Sequence, residues 1–217
     1  MTKQKLMSAE KAKTTNIGVI LLAAGNSSRL GRPKQLLSFE GETLLQHSLQ
    51  VASASQAHPI ILVLGAQADI IKGDVDKLNL HIIIIQNKGW VEGMASSIRS
   101  GIKALTRINP DAEGSILMVC DQPYVTCSLL DKLISVHQRT GKPIIASSYE
   151  NTFGPPVFFH HSLFDELMRL KGDVGAKSIA QQHADAVEVI PFPEGTYDVD
   201  TEADYERIKS IASNDKG

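Results

Sequence analysis

The sequence predicts an α/β protein with a mostly parallel central sheet, and three observations carry that expectation. Apolar runs of strand length recur at Ile17–Ala23, Ile60–Leu64, His81–Ile85 and Ser115–Cys120. They are almost continuously apolar rather than alternating, as in strands covered on both faces. Stretches with helical periodicity lie between them, which is the alternation of βαβ units.

Residues 1–15 are polar and lysine-rich and read as a flexible N-terminal tail ahead of a single domain over residues 16–212. Ile17–Ala23 is the first strand. Gly25 permits a tight turn or a close backbone approach, and Asn26, Ser27 and Ser28 suit a loop or a helix cap. Arg29, Arg32 and Lys34 follow, and no carboxylate occurs between Asn16 and Phe39. This is an uncompensated basic loop at the carboxyl end of a strand, where open α/β sheets bind ligands. Backbone N–H groups with three cations suit a polyphosphate, while a solvated basic turn is the plainer reading. The spacing is neither Gly-x-Gly-x-x-Gly nor the Walker pattern.

Gly41 marks a turn, and Thr43 through Gln46 can form a capping box for a helix reaching about Ser55, with Leu45, Leu49 and Ala52 inward. Ile60–Leu64 is the second strand. A helix through Ala68–Leu78 is weakened by Gly73, and His81–Ile85 is the third strand. A helix from about Gly93 to Leu105 places Met94, Ile98, Ile102 and Leu105 on one side, although Gly101 lowers its propensity. Ser96 and Ser97 fall in its first turn, where free N–H groups could meet an anion or a base. Trp90 reads equally as a lid or a core anchor.

Ser115–Cys120 is the fourth strand and ends in Asp121-Gln122-Pro123. A carboxylate just past a buried strand suits Mg²⁺, a hard cation that shares its shell with phosphates and water. Ser128 and Asp131 open a helix to about Arg139. Pro143–Ser147 is a fifth strand and Tyr149–Gly154 a loop. Pro155 and Pro156 place the following residues at a sheet edge or strand start. Helices over Leu163–Leu170 and Ala176–Gln182 follow, with Asp173 between them. Ala186–Ile190 is the last strand, and Thr201 to Asp204 can box the start of a terminal helix. Asp198 and Asp200 share one side if their backbone is extended.

A formal charge of −2 gives no support to nucleic-acid binding. Cys120 and Cys127 form no disulfide framework or zinc spacing, and His47, His58, His160, His161 and His183 show no ligand spacing. No apolar run approaches membrane-spanning length, and residues 1–13 lack a signal-peptide core. A soluble, cytoplasmic protein with no membrane partner is expected.

The series Leu22-Ala23-Ala24-Gly25, Arg29-Leu30-Gly31-Arg32-Pro33-Lys34, Gly93-Met94-Ala95-Ser96-Ser97-Ile98, Cys120-Asp121-Gln122-Pro123, Gly172-Asp173-Val174-Gly175-Ala176 and Asp198-Val199-Asp200-Thr201 resembles, in order, the molybdenum cofactor cytidylyltransferase family of MobA-like NTP transferases. The resemblance spans residue 17 to about 209 and implies a three-layer α/β/α Rossmann-like nucleotidyltransferase fold. It implies CMP transfer from CTP to the terminal phosphate of a molybdopterin-type cofactor, with release of pyrophosphate. Ala23, Ala24, Gly25, Arg29 and Lys34 would hold the nucleotide, with Asn87, Ser96 and Ser97 at base or ribose. Arg29, Lys34 and Asp121 would carry catalysis, and Asp121 and Asp200 would bind Mg²⁺ or Mn²⁺. Gly154, Pro155, Pro156 and Asp173 would face the acceptor, and an acceptor molybdoenzyme or its chaperone would be the protein partner. Ala24 replaces the second-last residue of the Leu-Ala-Gly-Gly usual in guanylyltransferase relatives and leans toward cytidine. Pro155 departs from the family's commoner Gly-His-Pro. Transfer to a sugar phosphate, and non-catalytic nucleotide or cofactor binding, are the alternatives.

Overall fold

The computed structural model describes residues 15–214. The expected tail lies outside them except for Thr15, whose N–H reaches Gln56 O at 3.3 Å. The elements are β1 (Ile17–Ala23), β2 (Ser38–Phe39), β3 (Glu42–Thr43), α1 (Leu44–Ala54), β4 (Ile60–Leu64), α2 (Ala68–Val75), β5 (Ile82–Gln86), α3 (Met94–Ile108), β6 (Gly114–Val119), α4 (Cys127–Thr140), β7 (Ile144–Tyr149), β8 (Thr152–His160), α5 (Phe164–Leu167), α6 (Lys177–Gln182), β9 (Val187–Pro191) and α7 (Glu202–Asn214).

One sheet runs in the order β5-β4-β1-β6-β8-β7-β9, and β2 pairs with β3 as a separate ribbon. The β5-β4-β1-β6 block is parallel, β8 is antiparallel to both of its neighbours, and β9 is parallel to β7. The chain steps outward from β1 to β4 to β5, then crosses back through α3 to β6 on the other side of β1. The carboxyl ends of β1 and β6 therefore flank the point where winding reverses, where open α/β sheets hold ligands.

Period-two side-chain alternation divides the core. Ile17, Val19, Leu21 and Ala23 of β1 pack with α1, α2 and α4, while Ile20 packs with α3, α5 and α6. This is the three-layer α/β/α arrangement. A Cβ on Gly101 would meet Ile20 Cγ2, so the residue that weakens α3 intrinsically is what seats it against β1. Thr43 and Gln46 form the capping box of α1. Thr201 and Asp204 box α7, with Thr201 N donating to Asp204 Oδ2 at 2.8 Å and Asp204 N to Thr201 Oγ1 at 3.2 Å. Among the described residues no helix is long and apolar enough to cross a membrane.

Several expectations are corrected. The Tyr149–Gly154 stretch is a hairpin of β7 and β8, not a loop, and β8 lies inside the sheet rather than at its edge. Pro155 and Pro156 fit there because the β7–β8 register shifts between Ala146 and Ser147, while pairing with β6 begins only at Val157. The prolines thus occupy an irregularity where no ladder N–H is required. Thr126, not Ser128, caps α4, and Asp131 instead accepts from Gln56 N at 2.8 Å. The helix expected over Leu163–Leu170 is a 3₁₀ turn followed by the single turn of α5.

Candidate active site

A cleft of about 430 Å³ opens at the winding reversal. Its wall includes Ala23 to Asn26 after β1, Asp121 after β6, and Trp90, Met94 and Ser97 around the start of α3. Topology alone brings together the basic loop and the carboxylate, which are 87 residues apart in sequence.

The loop after β1 is organised by Ser27, a non-glycine residue at φ 52°. Its carbonyl accepts from Leu30 N at 3.0 Å and Gly31 N at 3.1 Å, and its hydroxyl accepts from Lys34 N at 3.0 Å. Gln35, only 1% exposed, donates from Nε2 to Ala23 O at 2.9 Å and Gly25 O at 3.1 Å. The backbone N–H groups of Gly25 to Arg29 make no hydrogen bond among the described residues. Open N–H groups beside cationic side chains form an anion cradle.

Lys34 Nζ lies 2.5 Å from Asp121 Oδ2 and 2.8 Å from Asp200 Oδ1, and Arg29 Nη2 lies 2.7 Å from Asp200 Oδ2. Burial works against the Lys34 charge, but Asp121 and then Asp200 more than offset it and raise its pKa above the ordinary lysine value. Burial likewise pushes the Asp200 carboxyl up, while hydrogen bonding and charge from Lys34, then Arg29, hold it below the ordinary range. Partial desolvation, followed by the charge of Asp121, raises Asp198 at the exposed rim. Val199 N donates to Asp121 O at 2.9 Å, which fastens the Asp198–Asp200 strap beside β6. Arg29, with 67% of its side chain exposed, is open to a ligand, while Arg32 pairs outward with Glu202 at 2.7 Å.

Asp121 Oδ1 is buried and has no hydrogen-bond partner among the described residues. An orphaned carboxylate oxygen on a cleft wall, next to a second carboxylate, fits a hard divalent cation. Among the described residues no group of three or more His, Cys, Asp or Glu side chains is arranged to hold a metal. Such an ion would therefore draw the rest of its shell from phosphates and water.

The remaining expected positions divide. Ala24, 7% exposed, and Ser97 line the cleft with Asp173. Asn87 and Ser96 are buried outside the lining, joined by Asn87 Nδ2 to Ser96 Oγ at 2.8 Å and Ser97 Oγ at 3.1 Å, with Gly89 N on Asn87 Oδ1 at 3.0 Å. The first-turn N–H groups expected to be free are partly spent: Ala95 N bonds Gly172 O at 3.1 Å and Ser96 N bonds Gly93 O at 3.2 Å. Gly93, at φ 117°, also leaves room for Asp173 and Gly172, which a Cβ would strike. Trp90 packs against the α3 face of the core and also lines the cleft, so it is anchored rather than free-standing. Gly154, Pro155 and Pro156 lie outside the cleft lining; Gly154 sits under the Tyr149 hydroxyl. Tyr149 is partly buried and lies close enough to Asp198 and Asp121 for their charge, after burial, to raise its pKa. Sequence reasoning assigned no role to Gln35 or Tyr149, because neither sits in a motif whose chemistry demands it.

Comparisons with known proteins give the family. The MobA-like NTP transferase domain matches residues 19–187. Nicotine blue oxidoreductase of Paenarthrobacter nicotinovorans is 30% identical over 84% of this chain and 91% of that protein. Purine catabolism protein PucB of Bacillus subtilis (strain 168) is 26% identical over 89% of this chain and 96% of that protein. The crystal structure of Rv0371c from Mycobacterium tuberculosis H37Rv, solved as a complex with manganese, is 31% identical with a TM-score of 0.72, covering 89% of this chain and 98% of that one. With the domain match over most of its length, and a basic loop and a carboxylate pair meeting at the winding reversal, the chain belongs to the MobA-like NTP transferase family of nucleotidyltransferases.

Proposed function

We propose that this protein transfers CMP from CTP to the terminal phosphate of a molybdopterin-type cofactor, releasing pyrophosphate, with Mg²⁺ or Mn²⁺ bound. The observation that carries the reading is the pairing of Lys34 with Asp121, whose second oxygen stays buried without a partner at the cleft wall. A neighbouring structure solved with manganese supports divalent-metal use.

The reaction needs in-line positioning and neutralisation of spreading charge. The open N–H groups of the Gly25–Arg29 loop would cradle the triphosphate. Arg29 and Lys34 would turn from Asp200 toward phosphate oxygens and stabilise the departing pyrophosphate. A divalent cation on Asp121 and Asp200 would supply Lewis-acid polarisation of those oxygens. The attacking phosphate monoester is largely ionised at neutral pH, its second pKa being about 6, so no general base is required. Ala24 and Ser97 would border the base, and Ala24's methyl would disfavour a purine. Asp173, and Gly154 with Pro155 and Pro156 beyond Tyr149, would lie on the acceptor side. The unpaired cysteines Cys120 and Cys127 suit a cytoplasmic location, where an acceptor molybdoenzyme or its chaperone would receive the product.

The deciding experiment crosses CTP, GTP, ATP and UTP with purified molybdopterin cofactor and a panel of sugar phosphates, with Mg²⁺ or Mn²⁺, following pyrophosphate release. CTP with the molybdopterin cofactor is the expected productive pair. Turnover confined to sugar phosphates overturns the acceptor assignment, and a GTP preference overturns the base assignment.

A further inference from the structure

We infer that Gln35 is a positioning residue of the triphosphate site, whose carboxamide sets the direction of the Gly25–Asn26 peptide unit and ties it to Lys34. The inference rests on reading this cleft as a triphosphate site. The Gln35 amide is fully committed: Nε2 donates to Ala23 O at 2.9 Å and Gly25 O at 3.1 Å, and Oε1 accepts from Ser27 Oγ at 3.5 Å. Its orientation is fixed chemically, since only the NH₂ end can serve two carbonyls. In a trans peptide unit the C=O and the N–H point in opposite directions. Gly25 O held toward Gln35 therefore turns the Asn26 N–H to the other side. That N–H meets no acceptor among the described residues, and Asn26 is part of the cleft lining. The same Ser27 hydroxyl accepts Lys34 N at 3.0 Å. One buried amide thus links an open backbone donor to the segment carrying the ammonium. A buried glutamine that merely fills space would leave anion affinity unchanged once stability is accounted for.

The test uses inorganic pyrophosphate with Mg²⁺ as the probe, titrated calorimetrically into wild type, Gln35→Met and Ser27→Ala, with melting temperatures recorded alongside. Gln35→Met keeps side-chain length but removes all three hydrogen bonds. It is expected to weaken pyrophosphate about tenfold or more, the scale of one lost charge-assisted hydrogen bond, while affinity for the acceptor cofactor stays within about twofold. Ser27→Ala, expected to remain folded with a modestly lower melting temperature, should weaken pyrophosphate by about threefold to fivefold. Pyrophosphate affinity in folded Gln35→Met within about twofold of wild type overturns the proposal. If Gln35→Met does not fold, unchanged affinity in Ser27→Ala overturns it and weakened affinity supports it. Absence of pyrophosphate binding by wild type overturns the triphosphate site and this inference together. Loss of pyrophosphate affinity in the variants, with wild type inactive on CTP and molybdopterin, supports Gln35 and overturns only the substrate assignment.

Discussion

The Lys34 ammonium sits 2.5 Å from Asp121 Oδ2, so a cation of the basic loop after β1 is held by the carboxylate just past β6. The pair leaves Asp121 Oδ1 without a partner among the described residues, so one oxygen of the carboxylate is uncommitted. Asp121→Asn keeps the shape and retains Lys34's contact with Asp200 at 2.8 Å. Pyrophosphate release should fall by about a hundredfold or more, as when a group stabilising transition-state charge is removed. The thermal midpoint should move little. Normal Mg²⁺-dependent turnover in this variant would sink the metal assignment.

Lys34 and Arg29 should differ in degree. Lys34 is mostly buried between two carboxylates, while Arg29 is exposed and, among the described residues, ion-pairs with Asp200. Arg29→Ala is expected to lower kcat/KM for every triphosphate by about tenfold, the value of one charge-assisted contact. Lys34→Ala should cost more and also lower stability, since Asp121 and Asp200 are left facing each other. Steady-state kinetics with four triphosphates checks both, and a loss restricted to one base would contradict a phosphate role.

Asp204 supplies a pH signature. Its carboxylate accepts from Thr201 Oγ1 at 2.7 Å and from the N–H groups of Thr201 and Asp200, at 2.8 and 3.3 Å, which hold its pKa below the ordinary 3.8. A depressed folded pKa gives stability that is present above the unfolded value and lost as pH falls through the folded one. Asp204→Asn should therefore be slightly less stable at neutral pH, by well under the worth of a full cap, since the site is only partly buried and the amide oxygen still accepts. The difference from wild type should shrink as pH falls below 3.8. Thermal melts of both proteins from pH 7 to pH 2.5, the span over which the carboxylate protonates, measure it directly.

Asn87 and Ser97 test which part of the α3 entrance meets a ligand. Asn87 is buried and its amide is consumed by Ser96, Ser97 and Gly89, whereas Ser97 lines the cleft. Asn87→Ala should lower stability by about 1 kcal/mol, because it removes the buried amide that bonds Ser96 and Ser97, while Ser96 Oγ keeps Gly89 O and Gly93 O. Ser97→Ala should raise KM for the triphosphate with a smaller effect on melting. The reverse pattern would place Asn87 at the ligand instead.

Much of this arrangement was legible in the sequence because its signals are local. β1 and β4 have the bounds that apolar runs of strand length give, and the Thr43 and Thr201 boxes need only four residues each. Lys34, Asp121 and Asp200 were legible as chemistry, but their meeting is a consequence of strand order, which no local pattern encodes. The misplacement of β8 has the same origin. Two prolines argue against a paired strand, and only the shift opposite Ala146 and Ser147 shows where they fit. Gln35 was illegible because a buried amide serving backbone carbonyls resembles any polar loop residue until the chain is folded.

On the proposed cytidylyl-transfer reading, base choice turns on Ala24, which lines the cleft. It is 7% exposed, its carbonyl accepts Ala66 N at 3.1 Å, and it forms part of the cleft wall with Gly25 and Trp90. The backbone there is anchored, so replacing the methyl changes volume with little change of loop path. Ala24→Gly should lower the ratio of kcat/KM for CTP over GTP by about tenfold, since one methyl-sized group in a pocket discriminates by roughly 10- to 200-fold. Direct competition between the two triphosphates, read by mass analysis of the dinucleotide product, gives the ratio without separate rate constants. A ratio unchanged from wild type would move base selection away from Ala24 and toward the residues around the start of α3 that also line the cleft, Met94 and Ser97.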